Sequence, residues 1–231
     1  MGFIEKLSLV INSVDPLSVK SDFSQVYVPD CVTEGETRVI LVLESPHTQE
    51  VKHGFPLAGN SGKEVSKLLD KLIFQQDSPL NRPVGAYISE KHPLFQGLGL
   101  LNICPIPMQT VCYEPVLQER YSSWLRCLAI LRGAPSNKKR KDPQLQTLET
   151  MILADLKERI EQAGSGTLLI PCGNVARAFL DKAGIQTEMN LVPHPSFGQW
   201  SRAGNLKILQ NMTDQIVKVL NSPVSGAHWA G

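Results

Sequence analysis

The sequence predicts an α/β domain in which helices cover both faces of a parallel sheet. Apolar, strand-like runs lie at 38–44, 99–104, 167–172 and 187–192, and segments with helical periodicity separate them. Runs that are apolar throughout are typical of strands buried on both faces, and their alternation with helices favours a parallel sheet. With 231 residues, of which 42% are hydrophobic, the chain can bury one full core. We therefore expect a single domain over residues 1–231.

The helices follow from apolar residues that recur about every 3.6 positions. We predict them at 3–12, 61–72, 119–131, 145–163, 174–183 and 205–220. Ser61 and Glu64 have the spacing of a capping box, which predicts that the second of these helices begins at Ser61.

Residues 133–143 interrupt this pattern with Gly and Pro at the ends and four adjacent cations in the middle. Such a segment is typical of a flexible, solvated loop, but it could also contact phosphate groups. In that second interpretation Lys138, Lys139 and Arg140 are candidate DNA contacts.

Composition excludes some classes of protein and leaves others open. The formal net charge is +1 and the pI is about 7.7, so charge neither supports nor rejects a nucleic-acid partner. The five cysteines are odd in number and form no C-x-x-C pair, which indicates a reducing compartment. The N-terminus has no signal-peptide pattern, and no window approaches the roughly 18 apolar residues of a membrane span. We expect a cytoplasmic monomer that does not contact a membrane.

Polar segments follow two of the predicted strands. Glu44-Ser45-Pro46-His47 comes after the first, and Pro193-His194-Pro195-Ser196 comes after the last. Open α/β sheets bind ligands at the carboxyl ends of their strands, so a functional site is predicted there. Glu44 could orient a water molecule or a cation, or it could cap a helix.

Two more residues suit a site of this kind. Asn102 interrupts an apolar strand, and its amide offers a donor and an acceptor in one plane, as the edge of a nucleobase requires; it could equally be a satisfied core residue. His194 lies between two prolines, which restrict the direction of its imidazole. It could stabilise a departing anion, or it could be structural.

Taken together and in order, these segments resemble the motifs of the uracil-DNA glycosylase superfamily over roughly residues 38–220. The family's G-E-x-P-G corresponds to Leu43-Glu44-Ser45-Pro46-His47, and its G-x-P-F-x-G to Gly54-Phe55-Pro56-Leu57-Ala58-Gly59. Asn102 corresponds to the strand Asn. L-G-x-x-A and H-P-S correspond to Cys172-Gly173-Asn174-Val175-Ala176 and His194-Pro195-Ser196.

The resemblance implies a three-layer α/β/α fold with a four-stranded parallel sheet, and a target nucleotide turned out of the DNA into a pocket. It implies that His194 stabilises the departing base and that Asn102 reads its Watson-Crick edge. Glu44, or its backbone with Ser45, would position the attacking water. Ser196 would hold a phosphate, and Ser61, after the glycine-rich loop, is a further candidate DNA contact.

The chain departs from the family at positions that bear on substrate. Ser45 stands where the best-known uracil enzymes have a water-activating Asp. Leu57 replaces the Phe that stacks on the base, which leaves room for a larger base, although Phe55 could partly compensate. The N-terminal C-x-x-C of the iron-sulfur branch is absent, so we predict no cluster and no other cofactor or metal.

The loop after His194 is expected to contact DNA. The family inserts an apolar side chain into the duplex here, and either Phe197 or Trp200 could take that part. Trp200 could equally pack against the domain. Arg202 could bind a phosphate.

These expectations favour a monofunctional DNA glycosylase that removes uracil or another altered base and leaves an abasic site. One alternative is the excision of a bulky hypermodified base from bacteriophage DNA as host defence. A second is a catalytically idle module that binds DNA or a protein, and a third is an unrelated hydrolase of small nucleotides.

Overall fold

The computed structural model describes residues 1–76, 80–133, 140–189 and 191–222. Three fully buried strands form a parallel sheet in these ranges: β1 (Val39–Leu43), β2 (Leu98–Asn102) and β3 (Leu168–Pro171). Their order is β2-β1-β3, so the first strand lies in the middle. The α/β class and three of the predicted strands are confirmed.

The segment predicted as a fourth strand makes one parallel bridge, between Val192 and Cys172, in the part of the chain that the structure describes. Arg177 holds the preceding residues instead, donating to the Met189 carbonyl at 2.5 Å and to the Thr187 hydroxyl. Pro193 follows and has no N–H to extend a ladder. The described sheet therefore has three strands and one bridged residue, and not the four strands that we expected.

The helices alternate with the strands. Those that precede β2 are α1 (Phe3–Val10), α2 (Pro16–Ser24), α3 (Thr48–His53), α4 (Asn60–Leu69), which a π-helical turn extends over Asp70–Phe74, and α5 (Val84–Ser89). Those that follow β2 are α6 (Pro115–Arg120), α7 (Ser122–Gly133), α8 (Pro143–Ala163), α9 (Asn174–Lys182) and α10 (Leu206–Asn221).

Hydrophobic clusters cover both faces of the sheet, as predicted. Ile40 and Val42 belong to a cluster with the buried faces of α1, α2 and α6 to α9. Val39, Leu41 and Leu43 belong to a second cluster with α4, α5 and α10. Successive residues of a strand point to opposite faces, so this division of β1 identifies the two sides.

The predicted start of α4 was wrong. The helix begins at Asn60, its N-cap is Gly59, and no side chain caps it. Gly59 has an extended backbone and is the last residue before the helix. Ser61 therefore lies inside the first turn and does not precede it.

The helices α2, α3, α5 and α6 were not predicted. Three of them, α3, α5 and α6, have six residues each, which is too few to show a helical period. Asp15-Pro16 nevertheless marks the start of α2, since the Asp15 carboxylate accepts from the Leu17 and Ser18 N–H groups. Asp142-Pro143 begins α8 in the same way.

None of the helices in the described ranges has the length and apolarity that crossing a membrane requires. All five cysteines carry free thiols, and Cys104, Cys127 and Cys172 are buried.

Candidate functional site

A cavity of about 400 Å³ lies at the carboxyl edge of the sheet, bounded by the loops that follow β1 and β2 and by the segment after Val192. This volume falls within the roughly 300–1,000 Å³ that is usual for small-molecule sites. The sheet is parallel, so its strand ends meet at this edge. The cavity brings together these residues that the sequence had singled out: Glu44, Ser45, Leu57, Ser61, Asn102, His194 and Ser196.

Asn102 is the last residue of β2 and lines the cavity with a side chain that lacks hydrogen bonds. The residue is 1% exposed, and neither Oδ1 nor Nδ2 has a partner among the described residues. A buried polar atom without a partner costs about 1–3 kcal/mol. A ligand with a matching donor and acceptor would satisfy both polar atoms of this amide.

Glu44 begins the loop after β1 and forms an ion pair that the sequence did not indicate. Its Oε1 accepts from Nε of Arg132, near the C-terminus of α7. The Arg132 side chain is 39% exposed and also lines the cavity. Because α7 and β1 are far apart along the chain, no local pattern could have predicted the pair.

Ser45 is also engaged. Its Oγ accepts a hydrogen bond of 3.3 Å from the backbone N–H of Met108, in the loop that follows β2. The hydroxyl thereby joins the loops that follow β1 and β2, and one of its lone pairs is occupied.

His194 lines the cavity within hydrogen-bonding distance of Ser196. The imidazole Nδ1 lies 2.9 Å from Ser196 Oγ. Burial lowers the pKa of His194 below 6.5; Glu44 opposes this shift and Arg132 adds to it. The imidazole is accordingly neutral near pH 7.

Gly173 supports the position of His194. It has a φ of +93°, and a Cβ at this residue would lie 2.9 Å from His194 Cβ. Its N–H donates to the Val192 carbonyl at 2.8 Å. The glycine of the family-like L-G-x-x-A segment therefore lets the backbone after β3 approach the histidine closely.

Leu57 lines the cavity from a strained backbone with a φ of +53°. Its N–H donates to Glu50 Oε1 at 2.5 Å, and the His47 N–H donates to the other oxygen at 2.8 Å. Burial raises the pKa of Glu50, the two N–H bonds oppose this shift, and the charge of Glu44 adds to it. Glu50 thus links the loop after β1 to the glycine-rich loop that contains Leu57.

Phe55 does not reach the cavity. It contacts the ring of His53, at 6.0 Å between centroids, and lines a neighbouring groove with Lys63 and Arg82. Leu57, and not Phe55, therefore provides the hydrophobic side chain of this loop that lines the cavity.

The two aromatic residues after His194 lie in opposite environments. Phe197 lines the cavity mouth, has a φ of +54° and is 90% exposed. Trp200 is 1% exposed, and its Nε1 donates to the Pro193 carbonyl at 2.7 Å, so it packs against the domain. Arg202 donates to the Phe197 carbonyl at 3.3 Å and supports the same loop.

The basic segment is described only in part. Lys138 and Lys139 lie outside the described residues. Arg140 is largely buried and pairs with Glu149 of α8 at 3.3 Å, away from the cavity lining.

Besides Arg132, several cavity-lining residues were not singled out from the sequence: Gln49, Glu50, Asn60 and Gln109. Gln49 and Glu50 follow the first family-like motif on α3, a helix too short to be predicted. Their polar character alone did not distinguish them from solvated surface residues.

A comparison of the chain with known protein-family models gave no match, and a comparison with curated protein sequences gave none either.

Proposed function

We propose that this protein is a DNA glycosylase that binds an everted nucleotide in the cavity and hydrolyses its N-glycosidic bond. The observation that carries the proposal is the buried Asn102 amide, which shares a cavity with His194 and has no partner for either polar atom within the described ranges. The Watson-Crick edge of an everted base offers a donor and an acceptor to such an amide.

In the proposed reaction, the bond between C1′ and the base nitrogen breaks and its electron pair leaves with the base. His194 stabilises the resulting anion. If the Ser196 hydroxyl donates to Nδ1, the proton of the neutral imidazole is on Nε2, which can donate to the departing base. Water then forms the new bond to C1′ and gives up a proton, and the base anion acquires one. No cofactor is required.

Glu44 is the proposed acceptor for the attacking water. Its Oε1 is bonded to Arg132, so the other carboxylate oxygen would orient the water. Ser45 contributes less, because its hydroxyl already accepts from Met108.

DNA is the proposed partner, and Phe197 is the side chain that would fill the space left by the everted nucleotide. Exposure of a large aromatic at the mouth of the cavity supports this role. We propose Ser61, Arg202, Lys138 and Lys139 as phosphate contacts. The location of Arg140 beside Glu149 weakens its candidacy, and the burial of Trp200 argues against direct contact with DNA.

The identity of the base depends on Leu57. The cavity wall there is aliphatic, so a base larger than uracil would not meet an aromatic ring. We therefore keep two substrates within the proposal: uracil, and a bulky modified base of the kind found in bacteriophage DNA, whose removal would serve host defence.

A second candidate function is the binding of DNA without cleavage. The two groups that could activate water are both engaged, Glu44 with Arg132 and Ser45 with Met108, and this observation favours a binder. In that case Asn102 would still hold an everted base.

The test is base release from oligonucleotides that each carry one modified base, in single and double strands. Abasic sites are converted to breaks with alkali. We expect breakage with at least one base, and a rate lower by about 10²–10³ in His194→Ala, as for loss of other preorganised donors. Asn102→Ala should also slow base release, by about 100-fold.

The matched controls are His53→Ala and Asn12→Ala, which alter exposed residues outside the cavity and should leave breakage unchanged. Breakage that persists in His194→Ala would contradict the mechanism. Tight binding of a modified duplex without breakage would establish the second candidate in place of the first.

A further inference from the structure

Beneath the cavity, one guanidinium joins two carboxylates to the backbone of Asn102. Arg159, on α8, donates to Asp30 Oδ2 and to Asp155 Oδ2, each at 2.7 Å. It also donates to the carbonyls of Asn102 at 2.9 Å and Ile103 at 3.1 Å. The side chains of Asp30, Asp155 and Arg159 are at most 14% exposed.

Asp30 completes the arrangement from the other side of the same residue. Its Oδ1 accepts from the backbone N–H of Asn102 at 3.3 Å. Both backbone polar groups of Asn102 are therefore bonded to the Asp30–Arg159 ion pair, whereas its side chain has no partner among the residues that the structure covers.

The position of β2 explains why an ion pair is needed here. β2 is the outer strand of the described sheet, and its outward-facing backbone groups need partners beyond β1. At Leu100, two residues before Asn102, Cys31 provides these partners: the two residues exchange backbone hydrogen bonds of 2.9 and 3.0 Å. At Asn102 that pairing has ended, and Asp30 and Arg159 take the place of the missing strand residue.

We propose that Arg159, together with Asp30, is a positioning residue that holds the Asn102 amide in the orientation that reads the edge of the bound base. This inference rests on the proposed function. A guanidinium that donates to two carboxylates and two carbonyls holds the backbone more rigidly than a single hydrogen bond would, because its planar donors have fixed directions. Arg159 itself does not line the cavity, and of the residues to which it donates only Asn102 does.

The rate of base release distinguishes a positioning role of Arg159 from a purely stabilising one. If Arg159 only stabilises the fold, its substitution should slow base release by the same factor whatever residue stands at position 102. If it positions the amide, its effect should disappear when the amide is gone. A double-mutant cycle separates these cases.

The experiment measures kcat/KM for release of the preferred base in four proteins: the unmodified chain, Arg159→Lys, Asn102→Ala and the double variant. We expect Arg159→Lys to lower kcat/KM about tenfold when Asn102 is present and by less than about twofold in the Asn102→Ala background. An equal loss in both backgrounds would overturn the proposal.

Two further variants guard against a general loss of folding. Asp30→Asn keeps the size of the side chain but removes the charge that pairs with Arg159, so the cycle is repeated with it if Arg159→Lys does not fold. Lys182→Met breaks another largely buried ion pair, with Glu149 at 2.6 Å, which includes no cavity-lining residue. It should show no coupling to Asn102.

A spectroscopic measurement keeps this inference separate from the proposed function. If the unmodified chain releases no base, the proposed function fails. The side-chain NH₂ resonances of Asn102 then test by NMR whether Arg159 positions the amide. We expect them to shift in Arg159→Lys while those of Asn12 stay unchanged. Unmoved Asn102 resonances would overturn the inference.

Discussion

Asn102 and Glu44 stand at the ends of neighbouring strands, and Leu43 pairs directly with Asn102 in the register between β1 and β2. Their side chains are nevertheless in opposite states. In the part of the chain that the structure describes, the Asn102 amide has no partner, although both polar groups of its backbone are hydrogen-bonded. The Glu44 carboxylate, in contrast, is bonded to Arg132.

The difference indicates where a ligand changes the site most. A ligand at Asn102 satisfies atoms that folding leaves without partners, so its binding recovers the free energy that burial of these atoms cost. A ligand or water at Glu44 must share a carboxylate that is already paired. A ligand should therefore gain more at Asn102 than at Glu44, whereas the charges of Glu44 and Arg132 both act on the pKa of His194, after the larger effect of burial.

Among the variants that test this comparison, the largest expected effect comes from giving position 102 an apolar side chain of similar size. Asn102→Leu should reduce base release about 100-fold, as loss of a preorganised polar contact does. The same change should raise the free energy of unfolding by about 1 kcal/mol, because it removes two unsatisfied buried atoms. Denaturant unfolding and the alkali assay measure the two effects. A less stable variant would mean that the amide is satisfied in the folded protein.

Phe197 and Trp200 repeat the contrast between free and partnered groups. Phe197→Ala should weaken release from duplex DNA about tenfold, with a much smaller loss on single strands, because only a duplex has a stack to refill. Its free energy of unfolding should change by no more than about 0.5 kcal/mol, as for other exposed positions.

Trp200→Phe is the matched variant for this prediction. It should cost about 1 kcal/mol of stability through loss of the hydrogen bond to Pro193, and it should affect both DNA forms equally. Equal losses on duplex and single strands in Phe197→Ala would contradict the wedge.

The titration of His194 tests the electrostatic side of the comparison. Arg132 lowers the pKa of His194 and Glu44 raises it. We therefore expect the imidazole to titrate at higher pH in Arg132→Met and at lower pH in Glu44→Gln, as followed by NMR. Arg132→Lys keeps the charge and should show a smaller shift than Arg132→Met. A titration that is the same in all variants would show that the pair does not act on His194.

The smallest expected effect is on stability. The pKa of His194 is lower in the folded protein than its ordinary value of 6.5, so between these two values the unfolded chain binds more protons. The free energy of unfolding should therefore fall as pH decreases through 6.5. The fall should be shallower in His194→Gln, measured by thermal unfolding between pH 8 and 5. An equal slope in both proteins would contradict the lowered pKa.

The sequence alone determined the α/β class, three buried strands and the edge of the sheet where a cavity lies. Apolar runs and their alternation with helices are local in the chain, and parallel strands bring their carboxyl ends together whatever the details of the loops. Glu44, Ser45, Asn102 and His194 could be singled out because each follows or ends such a run.

Tertiary structure alone decided which of these groups have partners. The Arg132–Glu44 pair and the hold of Arg159 on Asn102 join residues 88 and 57 positions apart, and no periodicity encodes such contacts. The sequence also did not show which of Phe197 and Trp200 is buried, since two nearby aromatic residues in one loop have the same local pattern. Burial of one and exposure of the other depend on how the loop packs against the rest of the domain.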